Sequence, residues 1–220
     1  MRARTALLVL LTVGVVGVAA WLVFFSPVLG VRSVEIVGNL TVPEDRVKEK
    51  AAVPSQHPLA TVDLEGVEAR VLTLPQLATA KAERVWPGTL RIRVTERRPV
   101  ASLPVGGRAA LVDAHGVVIE VRDLAPAWLP VLKVDRPAAG DPATMAALKV
   151  VQSLPGSLAG KVRQVSATTA EGVSLELTDG RTVFWGGAER GAEKARILAR
   201  VLGRKADVYD VSSPDVVTLK

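Results

Sequence analysis

The chain has no cysteine. That excludes disulfides, thiolate metal sites and a cysteine nucleophile, so a domain folded outside a reducing compartment must be held by core packing alone. Histidine is almost as scarce, with His57 and His115 the only two in 220 residues. His57 lies next to prolines and His115 lies in an Asp-Ala-His-Gly turn. Turn exposure, not a base or a ligand, is the expectation for each. Aromatic residues number eight (3 Phe, 4 Trp, 1 Tyr), which argues against a stacking platform for sugars or bases. No His-Glu-x-x-His, Walker A or Gly-x-Gly-x-x-Gly pattern occurs. No catalytic residue, metal site or cofactor is therefore expected.

Apolar residues make up 49% of the chain and the formal net charge is +6. The first figure supports packed cores over disorder. The second suits anionic headgroups, acidic partners or a polyanionic wall, while nucleic acid lacks the support of a basic recognition helix.

Residues 5–25 carry no charge. As a helix they would span roughly 30 Å, the thickness of a bilayer's hydrocarbon core. Residues 6–25 hold 5 Leu, 6 Val and 2 Phe. Together these favour insertion by an upper bound of roughly 4–8 kcal/mol. Trp21, Phe24 and Phe25 fall at the far end, where aromatic rings prefer the interface, and Ser26-Pro27 ends the helix. Arg2 and Arg4 precede the span, so the positive-inside rule leaves the N terminus in the cytoplasm and sends the C terminus out. Val18-Ala19-Ala20 resembles a signal-cleavage site, but the apolar run continues through Phe25, longer than the usual core of ~7–15 residues. The expectation is an uncut single-pass anchor over residues 5–26 after a cytoplasmic tail, 1–4.

Residues 31–38 read as a strand that Gly38-Asn39 stops. Pro43-Glu44-Asp45 opens a helix, and Asp63 caps a second one over 64–72. Residues 77–86 and 89–98 read as strands around a Pro87-Gly88 turn. In the latter Leu90, Ile92 and Val94 point one way, and Thr89, Arg91, Arg93 and Thr95 the other. Two helices can cover one face of this small sheet and leave the other wet. Glu96, among Arg93, Arg97 and Arg98, is expected in exposed ion pairs, and Trp86 as a core or edge cover.

Further on, strands are expected over 109–113, 117–121, 161–169, 173–178, 182–185, 207–211 and 216–219, with a short extended piece at 129–132. Asp141-Pro142 opens a helix to about residue 153. Another covers 188–203, with Ile197, Leu198, Val201 and Leu202 as its apolar stripe and Lys194 one turn back. Asp179-Gly180 is a hairpin signal, and Asp113 is expected to stabilise its turn as an Asx residue. Gly186-Gly187 reads as a strand-to-helix break. The fold class is α+β, mostly antiparallel in this second part.

The strand-helix-helix-strand-strand order, with Val34-Glu35-Ile36-Val37-Gly38-Asn39, resembles a POTRA domain over residues 31–98. The run from Ala82-Glu83-Arg84-Val85-Trp86-Pro87-Gly88 through Glu96-Arg97-Arg98-Pro99-Val100-Ala101 resembles the signature of the FtsQ/DivIB family of bacterial division proteins. Leu111-Val112-Asp113-x-x-Gly116, Leu177-Thr178-Asp179-Gly180 and Asp210-Val211-Ser212-Ser213-Pro214 extend the likeness into a β-domain over 99–220. Ala82 departs from the larger β-branched residue usual there.

The resemblance implies a non-enzymatic divisome scaffold at the septum, gathering the bitopic partners FtsB and FtsL and, through them, the septal peptidoglycan synthase complex. It implies that the last strand presents its edge to FtsB. That places partner contacts at Ser212, Ser213, Asp215, Val216, Val217, Thr218 and Leu219, with Lys194 and Arg196 as charge contacts. An internal salt bridge is the competing role for Lys194. The alternative function is a membrane-anchored peptidoglycan-binding or wall-modifying protein. An outer-membrane assembly factor is a third, but no barrel-length set of strands follows.

Overall fold

The computed structural model describes residues 2–25 and 29–219. It opens on α1 (Arg2–Phe25). The described apolar side chains of this helix, from Leu7 to Trp21, are exposed on every face, so none of these packs into a protein core. Its described side chains run unbroken only over residues 7–18. Judged on the described residues alone, no helix is long and apolar enough to cross a membrane. The Ser26-Pro27 stop lies outside the described residues, as do the side chains of Phe24 and Phe25.

The rest divides into two compact units, broken between Glu96 and Arg97. The first contains β1 (Ser33–Val37), α2 (Glu44–Ala51), α3 (Leu64–Val71), β2 (Leu77–Val85) and β3 (Thr89–Glu96). β3 is central, parallel to β1 and antiparallel to β2. Its alternation decides the layers. Leu90, Ile92 and Val94 are buried with Val47 and Ala51 of α2 and Val67 and Val71 of α3. Burying Leu90 or Ile92 stabilises the unit by about 2–3 kcal/mol relative to exposure.

The opposite face is wet. There Arg91 donates to Glu35 (2.9 Å) and Glu83 (3.1 Å), and Arg93 to Glu83 (2.8 Å). The Asp63 carboxylate accepts from the Gly66 amide and starts α3. The Arg70 guanidinium donates twice to the Ala51 carbonyl and closes the exposed end of α2.

Two expectations need correction here. Glu96 does not join the arginine cluster. Its carboxylate accepts from the amides of Leu40 (2.6 Å), Thr41 and Val42 (2.9 Å each) and from the Thr41 hydroxyl (2.5 Å). It thereby staples the loop after β1 to the end of β3, because three free amides and a hydroxyl solvate a carboxylate more completely than exposed guanidinium partners do. Trp86 is 50% exposed, so of the two roles expected for it the core one is excluded. Gly38 sits at φ +95, and a Cβ there would stand 2.3 Å from the Val94 carbonyl oxygen, so only glycine lets β1 end against β3.

The second unit is one nine-stranded sheet with helices. In chain order it has β4 (Ala101–Val105), β5 (Arg108–Val112), β6 (Val118–Arg122), β7 (Val131–Val134), α4 (Pro142–Ser153), α5 (Gly156–Ala159), β8 (Val162–Ala167), β9 (Val173–Leu177), β10 (Thr182–Gly186), α6 (Gly191–Val201), β11 (Val208–Ser213) and β12 (Val216–Leu219). The sheet order is β12-β11-β10-β9-β8-β7-β4-β5-β6. Five of its eight pairings are antiparallel.

Val165, Leu175, Val183, Trp185, Tyr209 and Val211 form the core with Ala147, Leu148 and Val151 of α4 and Ala195 and Leu198 of α6. The alternate residues Gln164, Ser166, Ser174, Phe184 and Asp210 line the other face. Asp141 caps α4 by accepting from the Thr144 amide (2.8 Å), with Pro142 at the first position.

β4 and the four-residue α5 went unread in the sequence. Pro104 disguises β4. Its missing donor costs nothing, since the ladder to β7 involves only Ser102 and Val131 and Pro104 lies past its end.

Candidate functional site

Among the described residues, β12 is an edge strand with a single neighbour. It pairs antiparallel with β11, matching Tyr209 to Leu219, Asp210 to Thr218 and Ser213 to Val216. Ser213 and Val216 flank a two-residue turn, Pro214-Asp215, and such a flanking pair exchanges its hydrogen bonds. Val216 and Thr218 therefore turn their backbone groups toward β11. The alternation of the ladder turns those of Val217 and Leu219 outward, unpaired. The register shift between Asp210 and Ser213 puts one extra residue in β11, a bulge that twists the hairpin.

Side chains support this edge from behind. Arg190, at the start of α6 with φ +53, grips the turn. Its Nη1 lies 3.0 Å from Asp215 Oδ2 and its Nη2 3.1 Å from Oδ1. The same guanidinium reaches Glu193 at 2.9 and 3.1 Å. The Arg190 hydrogen bonds hold the Asp215 and Glu193 carboxyls below their usual range, and Asp215, then Glu193, raise Arg190. The Asp210 carboxylate accepts from the Ser212 amide (3.0 Å) and hydroxyl (2.6 Å) and fixes the bulge. Gly186 at φ +74 lets β10 pass close, where a Cβ would stand 2.9 Å from Ser212 Cβ.

The residues named from the sequence thus divide. Ser212, Ser213, Asp215, Val216 and Thr218 are exposed along the hairpin, Val216 at 68%. Leu219 is half-buried against the core, and Val217 is placed by its backbone. Arg196 is exposed on α6. Lys194 is elsewhere. It is 1% exposed, donates to the Gly187 carbonyl at 2.9 Å and lies 3.7 Å from Glu189. Its ammonium ties the Gly186-Gly187 break to α6 inside the unit, so it offers no charge at the surface. Sequence reasoning missed Arg190 and Glu193. Their i,i+3 spacing was legible, but Asp215 is 25 residues away and only the fold brings it near.

The polar face of the same sheet forms an open cavity of about 540 Å³, lined among others by Lys133, Gln164, Ser174, Phe184 and Asp210. Neither histidine lines it. His57 shares a hydrogen bond with Thr61 (3.2 Å), and the His115 side chain is largely exposed in its turn. Asp113 is the buried acid of that turn. It accepts from the His115 and Val117 amides (2.8 Å each) and from Arg97 (2.6 Å). Burial pushes its carboxyl up, and these hydrogen bonds outweigh that and hold it below the usual range. Asp113 is thus the Asx residue expected, already committed to the fold.

Comparisons with known proteins follow this architecture. A family model described as POTRA domain, FtsQ-type, matches residues 29–97. One described as cell division protein FtsQ/DivIB, C-terminal, matches residues 101–216. The chain is 40% identical over 199 residues to the cell division protein FtsQ of Mycolicibacterium smegmatis, covering 90% of this chain and 60% of that relative. It is 37% identical over 220 residues to the Mycobacterium tuberculosis protein of the same name, covering 100% of this chain and 70% of that one. It therefore spans about three-fifths to seven-tenths of the length of these relatives. A solved structure, the major extracytoplasmic domain of DivIB from Geobacillus stearothermophilus, matches with 20% identity and a TM-score of 0.37, over 50% of this chain and 98% of that one.

Proposed function

Because the chain belongs to the FtsQ/DivIB family of cell division proteins, we propose that it works as a non-enzymatic scaffold of the divisome whose last strand captures a strand of a bitopic partner of the FtsB or FtsL kind. The observation that carries this is the outward, unpaired backbone of β12, held by the Arg190–Asp215 brace. Strand addition draws its affinity from main-chain hydrogen bonds and its selectivity from alternate side chains. Val216 and Thr218, exposed at the edge, and Arg196 on α6 supply side chains for that selectivity.

In the same reading residues 5–26 anchor the chain in the inner membrane, and both units lie outside the cytoplasm. The exposed apolar side chains described on every face of α1 support the anchor. Arg2 and Arg4 at one flank support the orientation. The partner complex would couple this scaffold to septal peptidoglycan synthesis.

The test is substitution at the edge. Val217→Pro removes an outward donor without touching the ladder to β11. It should abolish capture of the partner's extracytoplasmic segment while circular dichroism stays unchanged. Undiminished capture would place the interface elsewhere. A fluorescent fusion should gather at midcell, and uniform fluorescence around the cell would count against a division role.

A second reading, binding to the wall itself, draws on the polar cavity and its half-exposed Phe184. Co-sedimentation with purified wall that is lost in Phe184→Ala would favour it.

A further inference from the structure

Among the described residues, the nine-stranded sheet has a second open edge, at β6. We propose that this edge pairs with the β6 edge of a second copy of the same chain, antiparallel, with Val121 opposite Val121 across a two-fold axis.

The backbone sets the register. Val105 and Arg108 flank the two-residue turn Gly106-Gly107, so they exchange hydrogen bonds and the even-numbered residues of β5 face β4. The Val112 carbonyl, which accepts from the Val100 amide at 2.9 Å, agrees. The odd-numbered residues of β5 then face β6, as the Asp113 amide does in donating to Val117 at 3.0 Å. Because Ala109 matches Arg122 and Leu111 matches Glu120, the backbone groups of Glu120 and Arg122 are used within the sheet. Those of Val121 point out.

A two-fold antiparallel pair centred on Val121 joins outward amide to outward carbonyl in both copies. Centred on Glu120 it would meet groups already bonded.

The side chains select the same register. Centring on Val121 puts Glu120 of each copy opposite Arg122 of the other, two opposite-charge pairs in place of the 2.7 Å contact these residues make within one chain. Centring on Glu120 would set two carboxylates against each other. The edge is also apolar. Val118 and Val121 are 42% and 43% exposed, and Leu124 just beyond is 84% exposed. In this register Val121 of one copy covers Val121 of the other. The existing guard is weak. Arg108 Nη2 stands 3.5 Å from the Val121 carbonyl, at the limit of a hydrogen bond, on a side chain that is 55% exposed.

A five-residue strand makes a small interface, so the association is weak in dilute solution. Crowding on one membrane raises the effective concentration and with it the paired fraction. The inference is independent of the partner proposed for β12, which lies at the opposite end of the sheet order.

The absence of cysteine makes the test clean. Bonded opposite residues lie about 5.5 Å apart at Cα, inside the roughly 4.4–6.8 Å span of a disulfide. In the full chain, Val121→Cys should give a disulfide-linked dimer under mild oxidation, several-fold above Lys133→Cys in mid-sheet and Val216→Cys at the other edge. Adding Glu120→Arg or Arg122→Glu alone should cut that yield several-fold, and both together should restore it. A Val121→Cys yield no greater than the controls would overturn the proposal. So would a double reversal that fails to recover the yield.

Discussion

Arg190 and Asp215 meet fork to fork, with the two terminal nitrogens of the guanidinium each about 3 Å from one oxygen of the carboxylate. They join the start of α6 to the turn that carries the edge strand. Two parallel charged hydrogen bonds fix direction as well as distance. The pair is exposed, so its consequence is local order and not global stability. Arg190→Ala should speed amide hydrogen exchange in β11 and β12 and leave β8 and β9 unchanged.

The same pair has a pH signature. Asp215 has a folded-state pKa below its ordinary value, held there by Arg190. A depressed carboxylate contributes order above its unfolded-state pKa and loses it as pH falls through the folded one. Protection of the β12 amides, corrected for the intrinsic slowing of exchange in acid, should therefore fall as pH drops from the ordinary carboxylate range through the depressed folded-state value. Asp215→Asn should exchange fast throughout.

Glu96 makes the stronger acid prediction. Burial raises its pKa, but the Thr41 hydroxyl and the amides of Val42, Leu40 and Thr41 overcome that and hold it at about 2, against an ordinary 4.5. The stabilisation is whole above pH 4.5 and disappears as pH falls toward 2. Unscreened, the shift would correspond to about 3 kcal/mol, and exposure to solvent reduces it to roughly 1–2 kcal/mol. Glu96→Gln should lower stability at neutral pH by that amount in urea unfolding and flatten the acid limb of the first unit.

Lys194→Ala tests whether this lysine serves the fold or a partner. Removal leaves the Gly187 carbonyl without its ammonium donor and opens a void beside Leu198. The loss should be about 2–4 kcal/mol in chemical denaturation. Partner capture should fall only as far as the folded fraction falls, whereas a contact residue would weaken capture with the fold intact.

Gly186→Ala should destabilise the unit by about 1–3 kcal/mol, through a left-handed backbone and a clash with Ser212. Thermal unfolding measures it. A rise in melting temperature would mean that β10 and β11 do not pass as closely as described.

Much of this was legible in the chain. The alternation of Leu90, Ile92 and Val94 located the central strand of the first unit, and Asp63, Asp141 and Asp179-Gly180 marked caps and a turn through local hydrogen bonding. Those signals act over two to four residues, so a sequence carries them openly. What escaped depended on distant neighbours. Pro104 hid a strand because its tolerance depends on where the ladder to β7 stops. Glu96 looked like part of a charged cluster, yet it answers amides 54 to 56 residues away. The two roles open to Lys194, a charge contact or an internal pair, could not be separated because helical periodicity cannot show that the Gly187 carbonyl lies behind it. At the proposed edge the strand itself could be read, but its brace could not, since Arg190 and Asp215 are adjacent only after folding.

The most direct test of the scaffold account is residue-resolved hydrogen exchange on the chain with and without the partner's extracytoplasmic segment. The account predicts new protection at the outward amides of Val217 and Leu219, with the inward amides of Val216 and Thr218 protected in both states. Protection that arises elsewhere and leaves Val217 and Leu219 exchanging freely would contradict it.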